Sequence, residues 1–113
     1  MTHGNLLLDS IPDSHQELFE TLVQTGEVRI ERIISTGQSS PEGFWYDQPE
    51  HEFVMVLQGA AVIDFEEGPS ISLEQGTWLH IQPHQRHRVA GTSADSATIW
   101  LAIFWKAEEP AKS

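Results

Sequence analysis

Cysteine is absent from the 113-residue chain, which removes disulfides, thiolate metal sites and cysteine nucleophiles together. That absence is compatible with a cytoplasmic setting, the localisation expected here. Basic residues are nearly as scarce: six Lys and Arg stand against seventeen Asp and Glu, for a formal net charge of -11. Such a balance repels a polyphosphate backbone and an anionic leaflet alike, so neither nucleic acid nor membrane is expected as a partner. No apolar run approaches the roughly 20 residues that span a bilayer. Met1 to Pro12 contains only the short run Leu6-Leu7-Leu8 with no basic stretch before it, which is not the pattern of a signal peptide. Repeats, phosphate loops and a Ser-His-Asp spacing are missing too. What is present, 39% hydrophobic and 20% charged residues in a one-domain length, reads as a soluble globular domain able to bury its own core.

Short segments rich in Val, Ile and Phe, separated by Gly, Pro and Ser, dominate the chain. They predict strands over Val28 to Ser35, Glu52 to Leu57, Ala60 to Phe65, Ser70 to Leu73, Trp78 to Ile81, His87 to Ala90 and Thr98 to Lys106. With no helical crossovers between them, an all-β antiparallel barrel or double sheet follows. One helix is expected before the strands. Ser14 and Glu17 have capping-box spacing, Leu18, Phe19, Leu22 and Val23 recur at helical intervals, and Gly26 ends the run. The organisation expected is therefore an N-terminal segment with this helix (1–27), a barrel (28–106) and a frayed tail (107–113). The last strand, Thr98 to Trp105, is apolar at both parities. Its outer face calls for cover, either from the helix or from a second subunit.

Glu52 and Gly59 lie in an E-x6-G spacing, and Gly76 and His87 are eleven residues apart across the Pro83 loop. In these features the stretch Gly43 to Gly91 resembles the two-part signature of the cupin superfamily, in its small single-domain form. The resemblance implies a double-stranded β-helix, or jelly-roll, barrel with a ligand cavity inside, and a homodimer. It also shows departures. The paired histidines of the first motif fall at Tyr46 and Gln48, or at Trp45 and Asp47, so neither is kept; His84 stands where the second motif has glycine. Of the four residues that hold metal in many cupins, Glu52 and His87 remain.

Strand alternation places Glu52 with Val54 and Val56, and His87 with Val89. If both faces turn inward, a carboxylate and an imidazole meet over an apolar floor. With Asp47 as third donor they are candidate ligands for one divalent ion (Zn, Fe, Mn or Ni); Gln48 is a weaker neutral donor. The alternative is that Glu52 and His87 bond only each other, or serve a pocket without metal. Arg32 shares parity with Val28, Ile30 and Ile34, where an unpaired guanidinium would be costly. Pointing inward, it would pair with Glu52, Asp47 or an anionic ligand; pointing outward, it would leave the carboxylates free. Arg32, Tyr46, Gln48 and His84 are thus the candidate ligand-binding residues, with His84 at the barrel mouth. His51 precedes Glu52 and should face away from it, His80 reads as a surface or hydrogen-bonded histidine, and His3 and His15 sit near the start. Two functions are expected: a barrel that binds a small polar molecule around Glu52 and His87, or a metal-dependent enzyme with an atypical first motif.

Overall fold

The computed structural model describes residues 1–7 and 16–108. Eight strands run in the order β1 (Leu18–Thr25), β2 (Val28–Ser35), β3 (Glu50–Gln58), β4 (Ala61–Phe65), β5 (Ser70–Leu73), β6 (Trp78–Ile81), β7 (His87–Thr92) and β8 (Thr98–Lys106). A five-stranded sheet has the order β1-β2-β8-β3-β6 and a three-stranded sheet the order β5-β4-β7, with every pairing antiparallel. The all-β expectation and the seven strands read from the sequence hold, with end shifts of one or two residues.

The helix does not. Leu18 to Thr25 form a strand, and no helix occurs among the described residues; Ser14 and His15 of the expected capping box lie outside them. Two features disguise this strand. Glu20 interrupts the half-buried row Leu18, Glu20, Leu22 because it sits opposite Arg32 and pairs with it at 2.6 Å. A register shift between Thr21 and Val23 then breaks the two-residue period. Gly26 ends no helix: with φ of 52° it occupies the first position of the two-residue β1–β2 turn, where positive φ favours glycine.

The core lies between the sheets, built from Ile33, Val54, Val56, Trp100, Ala102 and Phe104 on the larger sheet and Ala61, Ile63 and Leu73 on the smaller. Tyr46, in the connection between β2 and β3, joins β7 by a single bridge to His87. Gly59 closes the β3–β4 turn with φ of 88°, and a Cβ there would meet Thr98 Cα at 2.8 Å and the Ala97 carbonyl at 2.9 Å. The glycine of the E-x6-G spacing is thus required both for its φ and for close approach of β8. On β8, Trp100, Ala102 and Phe104 enter the core, whereas Leu101, Ile103 and Trp105 remain half-buried on the outer face of the sheet.

Candidate functional site

A cavity of about 90 Å³ opens in the barrel between the sheets. Glu52 on β3 and His87 on β7 both line it, together with Tyr46, Gln48 and an aliphatic wall that includes Val54, Ile63 and Ile81. The alternation that buries Val54 and Val56 also carries Glu52 inward, to 8% exposure, and His87 is 4% exposed. Their facing atoms, Glu52 Oε1 and His87 Nε2, are 3.7 Å apart, too far for a direct hydrogen bond.

This pair is not an ion pair. Burial pushes the Glu52 carboxyl up to about 7, against the smaller opposing effect of the amide of Gln48, whose Nε2 donates to Glu52 Oε1 at 3.0 Å. Burial also lowers the His87 pKa. Both groups are driven toward neutral forms, as desolvation dictates for a carboxyl and an imidazole alike. The Gln85 carbonyl, 2.8 Å from His87 Nδ1, accepts the proton on that nitrogen, which leaves Nε2 as a lone-pair acceptor facing the cavity. Tyr46 stacks on His87 with ring centroids 5.4 Å apart. Its phenol is raised first by burial and then by the carboxylates of Glu17 and Glu52.

Asp47 is not part of this group. Its carboxylate meets His84 Nδ1 at 2.8 Å and Arg86 Nε at 3.9 Å on the exposed rim. His84 also lies there, its backbone N–H donating to the Gln48 carbonyl and its φ at 60°, a left-handed conformation in the position where the second cupin motif has glycine. Arg32 turns away altogether. The inward row of β2 is Glu31, Ile33 and Ser35; Arg32 is buried on the opposite face, bonded to Glu20 and to the Leu6 carbonyl. The more apolar parity of β2 is therefore its outer one. His51 and His80 are also outside, 2.9 Å apart between ring nitrogens and stacked with Trp105.

Sequence reasoning missed Glu17. It lines the cavity, and its Oε2 accepts a hydrogen bond from Ser35 Oγ at 2.7 Å, while Ser35 Oγ accepts one from Trp100 Nε1 at 3.1 Å. The available signal was its parity with Phe19, another lining residue, which shows only once the segment is read as extended.

The cupin domain model matches residues 30–104. The chain belongs to the cupin family. A protein of Ralstonia eutropha JMP134, named provisionally as a mannose-6-phosphate isomerase, is 44% identical to this cupin, with a TM-score of 0.90 over 95% of this chain and 100% of that one. A cupin superfamily protein of Desulfitobacterium hafniense shares its fold at 24% identity and a TM-score of 0.70, over 89% of this chain and 85% of that one. An RmlC-like cupin of Methanocaldococcus jannaschii does so at 13% identity and 0.67, covering 87% of each chain. No curated protein matches the chain.

Cupins often hold a metal, so the donor set matters. Among the described residues, no three His, Asp or Glu side chains are placed together to hold an ion. Glu52 and His87 supply two donors, and the expected third, Asp47, is bonded to His84 on the rim. The residues present do not make the trio anticipated for a divalent ion. No helix among the described residues is long and apolar enough to cross a membrane.

Proposed function

We propose that this cupin is a binding barrel, its cavity receiving a small polar molecule whose polar end meets Glu52 and His87. The observation that carries this reading is the pair itself. Two titratable side chains, each more than nine-tenths buried, face one another across a gap too wide for a direct bond, at the end of an apolar cavity. Each keeps one partner of its own, the Gln48 amide for Glu52 and the Gln85 carbonyl for His87, and the gap between them leaves room for the polar end of a ligand. A cavity of about 90 Å³ holds several waters or a molecule of a few non-hydrogen atoms. A hexose phosphate, the substrate class in the name of the Ralstonia relative, is much larger. The metal-dependent alternative has no observation in its favour once Asp47 is assigned to the rim.

A panel of small polar compounds tested by thermal shift examines the reading. A compound bound only to the folded state raises Tm by mass action. Such compounds should act on the wild type and lose their effect in His87→Ala. Equal stabilisation of both proteins would remove the pair from the site. A homodimer remains part of the proposal, supported by the half-buried outer row Leu101, Ile103 and Trp105, which no helix covers among the described residues.

A further inference from the structure

The directions of the free hydrogen-bonding atoms deepen this reading. Glu52 is 8% exposed, and no Lys or Arg lines the cavity among the described residues. Arg29, the cation whose charge reaches Glu52, is committed to Glu31 and Glu50. A buried carboxyl with no cation beside it keeps its proton, because the charged form bears the desolvation penalty. Gln48 Nε2 donates to Glu52 Oε1 at 3.0 Å, which makes Oε1 the carbonyl oxygen and leaves the hydroxyl at Oε2. His87 is fixed in the opposite sense: its Nδ1–H donates to the Gln85 carbonyl, so Nε2 holds a lone pair. Neither Glu52 Oε2 nor His87 Nε2 has a hydrogen bond to a described residue. Neither is sealed in the wall, since Arg88 Nε is the one fully buried side-chain nitrogen or oxygen without a partner among the described residues. A donor and an acceptor are therefore both open to the cavity, on residues whose facing atoms are 3.7 Å apart.

Such a pair selects against ions of either sign. A carboxylate ligand would bring no proton to His87 Nε2, no cation offsets its charge, and the lining already holds the Glu17 carboxylate. An ammonium or amidinium ligand would bring donors alone, and nothing to accept the Glu52 hydroxyl. A ketone would accept from Glu52 and leave Nε2 unpaired. A primary carboxamide carries a carbonyl acceptor and an N–H donor on one carbon, without charge. We propose that the cavity takes a small primary carboxamide, its carbonyl accepting from Glu52 and its N–H donating to His87. Its apolar part lies against Val54, Ile63 and Ile81, and is short because the space is about 90 Å³. This rests on the reading of the cavity as a ligand site and names the class of ligand.

Four probes of one shape separate charge and donor from size: propionamide, propionate, propionamidinium and 2-butanone. They are titrated into the full-length 15N-labelled protein at pH 6.5, following the His87 ring nitrogens and the Gln48 side-chain amide. Propionamide should shift both sets of signals and bind at least ten times more tightly than each of the other three. Its affinity should fall at least fivefold between pH 6.5 and 8.5, as Glu52 loses the proton it donates through about 7. Glu52→Gln offers a weaker donor and no proton to lose, so it should bind propionamide at least tenfold more weakly and without that pH dependence. Equal or tighter binding of propionate, propionamidinium or 2-butanone at these signals overturns the carboxamide assignment and leaves the cavity as a ligand site. So does propionamide binding that strengthens as pH rises in the wild type. Failure of every probe to move the signals removes both readings. The four-probe ranking on the wild type decides the matter even if Glu52→Gln does not fold.

Discussion

Replacing Glu52 by Gln should remove a pH dependence that the fold builds into its own stability. The carboxyl is held near 7 rather than at its ordinary 4.5, chiefly by burial. The unfolded chain therefore releases this proton at much lower pH than the folded chain does. In the interval between, folding takes up a proton, so stability falls as pH rises. The favourable contribution is complete below the unfolded value and is lost as pH climbs through about 7. Each pKa unit corresponds to about 1.4 kcal/mol, so the loss between pH 5 and 8 comes to roughly 2 to 3 kcal/mol. Glu52→Gln keeps the shape and an acceptor for Gln48 but carries no titrating proton. Urea unfolding of both proteins across that range gives the difference in ΔG directly, and the repulsion common to both acidic chains cancels in it. The variant should gain by that amount from pH 5 to 8. Parallel curves would show a Glu52 carboxyl unshifted by folding, and a variant that loses ground as pH rises would show a carboxylate stabilised by it; either result would end the neutral-pair reasoning.

Three further outcomes follow from local geometry. His84→Gly should leave stability unchanged or raise it by up to about 1 kcal/mol in urea unfolding, because relief of a left-handed non-glycine backbone offsets loss of an exposed contact to Asp47; a loss above about 1 kcal/mol would mean that the rim contact matters more than the strain. Gly59→Ala should cost at least about 2 kcal/mol, since its Cβ would collide with the backbone of Ala97 and Thr98; a neutral result would show that the turn can shift. Sedimentation should give a dimer for the wild type and a monomer for Ile103→Glu, which places a charge on the outer row of β8; a monomeric wild type at micromolar concentration would contradict the dimer.

The strands were legible wherever apolar alternation ran unbroken between turn residues, as in Glu52-Phe53-Val54-Met55-Val56 and around Gly59. So was the meeting of Glu52 and His87, because two inward rows of a two-sheet barrel face each other. β1 was hidden by an ion pair and a bulge, both of which depend on β2 and cannot be seen from β1 itself. Glu17 was lost with it. Arg32 illustrates a different limit: alternation tells which residues share a face, but not which face of a central strand is inner, and in β2 the more apolar row is the outer one. The Glu20 carboxylate and the Leu6 carbonyl that receive Arg32 come from sequence positions far from it. Asp47 fell at the position of a motif histidine, yet a rim histidine and arginine draw its carboxylate away from the cavity.

Whether Glu52 and His87 together receive a ligand is read most directly at the His87 ring. In 15N-histidine-labelled protein, Nε2 should be the unprotonated nitrogen in the free state. Titration with fragments of a few non-hydrogen atoms should yield binders that shift Nε2 and that weaken at least tenfold, about 1.4 kcal/mol, in Glu52→Gln. A His87 ring that titrates like a solvent-exposed imidazole, or fragments that bind both proteins equally and leave Nε2 unmoved, would contradict a binding site at this pair.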